Sequence, residues 1–562
     1  MVKIEPAIEP ALGEKQRLPA VFRLARKLSG MLFPRSPERL LLLLLGSFVV
    51  ASLFLVKDYG MNIDSQKNFR EGEMHLNFLL HGRVDEVVLS HQMHGAFIFM
   101  LADAAKRLLS DRLPAYDAVS ARHVILPVLA ACFLATLFLF VRRHWSSRHG
   151  LVAVGILLTF PAFWGNTFNN LKDIPLLIFF SLTIMSFVEW HITGELLYLY
   201  ESFVLLGLAL SIKLYAFLAV AVLLLWFVVR PSRSRGPAPS AVQENATPHV
   251  VAGILIAFAV VLTLYAPAFW GSDNKLSCLA AWRAQLGQLT YGKHKAFNVM
   301  SVVQVLNRTP VPLLVFSVLG IFAALKNVRR SPLNSLLLIW GALPVLIHCL
   351  PNSELYDGMR HFLVFLVPFS LLATVGLWWA AALLARVFNT HEGAIVNGLA
   401  SLVIGVNLWG IVATHPYETT YFNALAGGLK GAQTKNIPFA WDYWLNSYKQ
   451  AGRWLSGHGA PDASVLAVYY SFTQPEFNTE LIRESVQRPD LKVTRLPEIP
   501  MEQARIAVPE NTYLILVPFD YLRPRRQVLE RSGEFQEVFR IERQGGEICT
   551  IYYKPKTPLR PG

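Results

Sequence analysis

The chain has 562 residues, 53% of them apolar and only 16% charged, with a mean hydropathy of +0.39. Soluble proteins carry about a quarter charged residues, so a string of soluble domains is excluded and lipid is the expected solvent for uncharged runs such as 40–56 and 217–229. The formal net charge of +14 needs a location before it needs a partner: nucleic acid, acidic lipid and membrane topology would each explain it.

Segment 1–38 carries Lys15, Arg17, Arg23, Arg26, Lys27 and Arg35, and reads as a cytoplasmic tail. It does not read as a cleavable signal, because the first apolar run begins only near Leu40 and is long enough to span. Eleven spans are expected, near 39–56, 121–141, 150–165, 174–190, 202–214, 215–230, 250–269, 311–326, 333–350, 362–386 and 394–413. The stretch 202–230 exceeds one span and has Lys213 in its middle, so it is read as two short helices meeting at Lys213. Basic clusters follow the second span (Arg142, Arg143, Arg148), the sixth (Arg230, Arg233, Arg235) and the eighth (Lys326, Arg329, Arg330). Eleven spans put all of them on the cytoplasmic side with the N-terminus. That orientation absorbs most of the net charge, and no nucleic acid is needed.

The predicted layout is a cytoplasmic segment 1–38, a transmembrane part 39–414 with outer loops 57–120 and 271–309, and an outer C-terminal portion 415–562. Within the first outer loop, 97–109 is amphipathic and is expected to lie along the membrane surface. Segment 231–247 reads as a Pro/Ser-rich linker. The C-terminal portion is near neutral and has no spanning run. A helix is expected over 446–456, with Asn446 as its N-cap and Gly457 after its end. Segments 465–470, 512–517 and 547–554 are β-rich. The fold class is an α-helical polytopic membrane protein with a small C-terminal α/β domain. Cys132, Cys278, Cys349 and Cys549 share no metal-like spacing and form no disulfide framework, a Cys278–Cys549 pair being the one alternative. There is no P-loop, GxGxxG, HExxH or GxSxG motif.

Chemistry is expected on the outer face, where a few charged side chains meet apolar helices. Asp64 follows the first span closely and is either a solvated loop aspartate or a general base toward a hydroxyl. Asn170, Lys172 and Asp173 precede an apolar helix with Pro175 in its first turn, so capping alone explains Asn170 or Asp173. An approach lined by Phe160, Phe163, Trp164 and Phe168 points instead to a pocket at the membrane boundary. Lys213 either snorkels from a helix end or anchors a lipid phosphate. Arg360 opens a span on the side where orientation asks for no cation. It either pairs with Asp357 or binds a phosphate, whose oxygens match its fork of donors. His91 and His94 lack a third ligand nearby and are not read as a metal site.

Taken together, these residues resemble the multi-span glycosyltransferases of the C-type fold that use polyprenyl-phosphate sugars. The branch is the protein O-mannosyltransferase-like and lipid A aminoarabinose transferase-like group. The resemblance rests on Asp64, on Asn170, Lys172 and Asp173, on Lys213 and on APAFWGSD at 266–273. Its more specific part is YDGMRHFLVFLVP at 356–368, HPYETTYFNALAGGLKGA at 415–432 and DYW at 442–444, a set associated with a bacterial subgroup that has a C-terminal outer domain. One departure is Ser65, where many relatives have glutamate after the aspartate.

The resemblance implies inverting transfer of a sugar from a polyprenyl phosphate to a hydroxyl of a protein, lipid or glycan, at the outer face of the plasma or inner membrane. It implies Asp64 as base and Asp173 as an orienting group. Arg360, Lys213, Lys172 and His361 would hold the donor phosphate, with Asn170, Tyr356, Asp357 and Trp270 lining the site. The loop after Trp270 would close over it. No cofactor is expected, since side-chain cations can stand in for a divalent metal. Two rival classes share the gross features: a transporter or lipid flippase, which would show repeats and midplane charges, and a non-catalytic assembly subunit, which Ser65 favours.

Overall fold

The computed structural model describes residues 36–82, 95–113, 115–230, 246–264, 296–351, 353, 355, 357–468, 481–494, 508–519 and 523–556. His91, His94, Cys278, Trp270, the loop after it, Tyr356 and most of the 231–247 linker lie outside them. Apolar helices occupy all eleven stretches expected to span. Seven are long and apolar enough to cross a membrane alone: Pro37–Leu55, Ala118–His144, Asp173–Thr193, Ala246–Leu264, Pro332–Cys349, Arg360–Phe388 and Glu392–Thr414.

The others are broken or short. Ser147–Thr159 and Pro161–Thr167 form one apolar unit bent by 66°. Phe160 is extended at the bend, and Pro161 opens the second helix, where its missing N–H costs nothing. Leu196–Ile212 and Leu214–Val229 are each short of a full span, as is Val311–Lys326. Lys213, between the first two, is extended at φ −158° and ψ 136°, so the helix stops at Ile212 where the sequence places its charge.

Asp173–Thr193 and Arg360–Phe388 are the most enclosed spans, while Pro37–Leu55 and Ala246–Leu264 present most of their surface outward. Helices Val311–Lys326 and Leu366–Phe388 meet backbone to backbone. A Cβ on Gly320 would stand 1.7 Å from Leu372 O, and one on Gly376 2.0 Å from Phe316 O. Small residues permit such contact between membrane helices.

Among the described residues, segment 57–109 holds two helices where one was expected. Ser65–His81 begins directly after Asp64 and packs against Phe97–Leu109, the predicted amphipathic stretch. Buried Asp103 accepts from Arg107 at 2.9 Å and Arg122 at 2.8 Å, which fixes this layer to helix Ala118–His123.

In the C-terminal portion, strands β1 (Ser464–Val468), β2 (Lys492–Thr494), β3 (Thr512–Leu516), β4 (Gln536–Arg543) and β5 (Gly546–Lys554) form one sheet in the order β2-β1-β3-β5-β4. The β1–β2 and β1–β3 pairs are parallel, and β3–β5 and β4–β5 antiparallel. β2 and β4 were not expected, because their mixed exposed surfaces give little hydrophobic alternation. The expected helix starts later, at Tyr448, and runs to His458. The N-cap position is Ser447, and Asn446 Oδ1 accepts from Asn169 Nδ2, so Asn446 is not the helix's N-cap, and Gly457 falls inside it. Cys132, Cys349 and Cys549 are free thiols.

Candidate functional site

The N-terminal end of helix Asp173–Thr193 organises the site. Asn170 Oδ1 accepts from the backbone N–H of Lys172 at 3.2 Å and of Asp173 at 2.8 Å, so Asn170 satisfies the free donors there. Its Nδ2 donates to Asp173 Oδ2 at 3.1 Å. Asp173 is therefore left to face other charges. Lys213 Nζ donates to its Oδ1 at 3.2 Å, and Arg360 Nη1 stands 3.8 Å from its Oδ2. The helix break at Lys213 is what lets that ammonium reach the carboxylate.

Asp64 enters from the first outer segment. Its Oδ2 accepts from Lys172 Nζ at 2.7 Å and lies 3.5 Å from Arg360 Nη1. The turn that presents it is closed by Asn62, whose N–H donates to Ser65 Oγ at 2.9 Å and whose Oδ1 accepts from Asp64 N at 3.0 Å. Ser65 thus has a structural use: its hydroxyl shapes the Asp64 turn. Asn62 Nδ2 also donates to Asn169 O at 2.7 Å, and Asn169 Nδ2 donates to Asn446 Oδ1. The Asp64 loop is fastened to the 166–170 segment and, through it, to the C-terminal portion.

Arg360 joins the whole. Asp357 and Gly358 both have positive φ, 54° and 67°. This tight turn folds the Asp357 carboxylate back onto Arg360, whose Nη2 donates to it at 2.6 Å. Burial pushes the Asp357 carboxyl up, and Arg360 beside it works in the opposite direction. The guanidinium also lies over the Trp444 ring, 5.1 Å from its centroid. Pairing with Asp357 and closeness to the other carboxylates are both realised. His361 follows, its ring 6.3 Å from that of His348, which stacks on Tyr215.

The cluster is balanced: Asp64, Asp173 and Asp357 against Lys172, Lys213 and Arg360. In a poorly solvated site each of these charges needs its partners. An incoming phosphate would compete with the carboxylates for the same cations.

Several neighbouring groups were not singled out from the sequence. Arg308, on helix Met300–Arg308, is buried and held by neutral acceptors. Gln304 Oε1 accepts at 2.7 Å, Phe439 O at 2.5 Å, and Thr419 O also accepts. Burial pulls it down to about 10. Arg308 and Arg360 line a small cavity of about 10 Å³ with Asn166, Glu418 and Tyr443. Glu418 accepts from Tyr59 Oη at 2.8 and 2.9 Å and contacts His415 Nδ1 at 2.9 Å. Glu71, about two helical turns beyond Asp64, is buried and pushed up to about 7 by that burial, with Lys67 at 3.8 Å opposing it. The HPYETTYFN and DYW segments were the available signal for Glu418, Tyr443 and Trp444. Arg308 and Glu71 had none beyond their charge.

Residues 117–270 match the family model for dolichyl-phosphate-mannose-protein mannosyltransferase. No curated protein sequence matches the chain. Among solved structures, one similar to it is ArnT from Cupriavidus metallidurans bound to undecaprenyl phosphate. Identity is 12%, TM-score 0.48, and the match covers 93% of this chain and 99% of that one. Another is the archaeal oligosaccharyltransferase AglB from Archaeoglobus fulgidus, in complex with an inhibitory peptide and a dolichol-phosphate. Identity is 11%, TM-score 0.44, and the match covers 80% of this chain and only 64% of that one. Asn170, Lys172, Asp173 and Lys213 all lie inside the matched stretch, and over that stretch the chain resembles the dolichyl-phosphate-mannose-protein mannosyltransferases.

Proposed function

We propose that the protein is an integral membrane glycosyltransferase that moves a sugar from a polyprenyl-phosphate donor to an acceptor hydroxyl at the outer face, with inversion. The observation that carries this reading is the meeting of three cations with Asp64 at the ends of apolar helices: Lys172 at 2.7 Å and Arg360 at 3.5 Å from its carboxylate, and Lys213 on the adjoining Asp173. A donor that stays in the bilayer presents its phosphate at such a boundary.

In this reading the acceptor oxygen attacks C1 of the sugar from the face opposite the phosphate. The C1–O bond to phosphate breaks, and the electron pair leaves with the polyprenyl phosphate. Arg360, Lys172 and Lys213 take up that developing charge in place of a divalent metal. The hydroxyl proton passes to Asp64. The hydroxyl becomes acidic only as its bond to C1 forms, so a weakly basic carboxylate suffices. Asp173 and Asp357 hold the cations in place until the phosphate arrives. The family match over 117–270 supports the reading.

The test is Asp64→Asn in the purified protein with a polyprenyl-phosphate sugar. Transfer should fall by about 10²–10⁴-fold, the usual worth of a general base, with farnesyl phosphate binding retained. Undiminished transfer removes Asp64 as the base.

A further inference from the structure

A second cavity adjoins the Asp64 loop, and the mechanism above makes no use of it. It is an open recess of about 100 Å³ between segment 57–120 and the C-terminal portion. Its floor is apolar, from Met61 and Val119, and its walls carry Asp117, Glu484, Lys449 and Arg453.

Asp117, Lys449 and Arg453 are anchored yet keep bonding capacity, and Glu484 is exposed at the rim. Asp117 accepts from the Ser120 N–H at 2.7 Å and from its hydroxyl at 2.8 Å. Lys449 Nζ donates to Tyr59 O at 3.0 Å and stands 3.7 Å from Asp117. Arg453 Nη2 donates to Lys57 O at 3.2 Å. An ammonium has three donors, a guanidinium five and a carboxylate about four acceptor sites, so these lining side chains keep donors and acceptors beyond the bonds named above.

Two cations and two carboxylates make a wall of no net charge, which favours neither a phosphate nor a cation. The apolar floor is too small to hold an acyl chain. A hydroxyl both donates and accepts, and a wall offering both suits a polyhydroxylated ligand whose C–H face rests on Met61 and Val119. Position supports the same ligand. Met61 is three residues from Asp64, so the floor lies within about 11 Å of it along the chain. Gly60 packs against Asn446 and Lys449, which leaves the loop little freedom to shift.

We propose that this recess binds a neutral saccharide portion of the acceptor, set back from the hydroxyl that meets Asp64. The proposal rests on the glycosyltransferase reading and specifies its acceptor as a glycan or glycolipid headgroup.

The test uses the full chain in detergent and saturation-transfer NMR with three neutral trisaccharides: mannotriose, maltotriose and chitotriose. At least one should bind the wild type. Ala118→Trp, which fills the recess, should abolish that binding. Glu484→Ala, at an exposed rim position, should weaken it by up to about tenfold without altering the melting temperature. Farnesyl phosphate should bind both variants as it binds wild type. The proposal fails if none of the three binds, if binding survives both substitutions, or if a Ser/Thr-containing peptide is the ligand that Ala118→Trp displaces. If farnesyl phosphate does not bind wild type while a trisaccharide binds and is lost in Ala118→Trp, the recess stands and the polyprenyl-phosphate reading falls.

Discussion

The two ends of the helical bundle treat the same ionic chemistry differently. At one end Arg142 and Arg143 are about half exposed, 50% and 48%, and meet Glu38 at 3.7 Å and Glu189 at 3.1 Å. At the other, Lys172, Lys213 and Arg360 keep 11%, 19% and 7% of their side-chain surface and converge on Asp64, Asp173 and Asp357. Helix Asp173–Thr193 connects the two ends. Exposed pairs gain little, because water screens them. Buried ones cost desolvation and stand only while every partner is present. One end therefore carries exposed charge, and the other carries charge held in a protected arrangement.

The largest effect should come from breaking the protected end. Asp173→Ala leaves Lys213 and Arg360 without a shared carboxylate, and the loss should be about 3–5 kcal/mol, read as a lower melting temperature in detergent. A wild-type melt would mean that the two ends do not differ as described. Next, Arg360→Ala should weaken farnesyl phosphate binding by about tenfold to a hundredfold, the worth of a charge-assisted hydrogen bond. Equal binding by the variant would remove Arg360 from the phosphate clamp.

A smaller effect concerns His415, outside the spans. Burial lowers its pKa, but hydrogen bonds and charge from Glu418 and Asp58 outweigh that and leave it raised. A raised folded value means that this contact stabilises fully below the ordinary histidine range and is lost as pH rises through the folded value. The melting temperature should fall between pH 6 and pH 9 in wild type, and His415→Gln should flatten that dependence. A steeper dependence in the variant would contradict the assignment. Smallest of all, Arg142→Gln should leave melting and transfer unchanged. A substantial loss would show that the exposed end is more than an orienting charge.

Much of the fold was legible because membrane spans declare themselves by apolar length, and a lysine inside such a run declares a break. Lys213 did so, and the chain is extended there. The side chains of Asp64, Lys172, Asp173, Lys213 and Arg360 stood out for a related reason: a charge beside lipid is conspicuous. Charges in polar surroundings are not. Glu71 and Arg308 both sit in helices of mixed composition, so neither stood apart until burial was visible. The start of helix Tyr448–His458 escaped because the partner that takes the Asn446 side chain, Asn169, is distant in sequence. Strands β2 and β4 escaped because sheet partners, rather than their own pattern, define them.

The fastening of Asn62, Asn169 and Asn446 has a consequence for modularity. Three amides tie the Asp64 turn, the approach to helix Asp173–Thr193 and the segment before helix Tyr448–His458 into one seam. Arg360 leans on Trp444 from the same C-terminal stretch. A fragment ending at Thr414 would keep every span and every charged side chain of the cluster, yet lose one wall of the chamber that holds them. The C-terminal portion is thus no detachable accessory, and grafting it onto another membrane part would require recutting the seam on both sides.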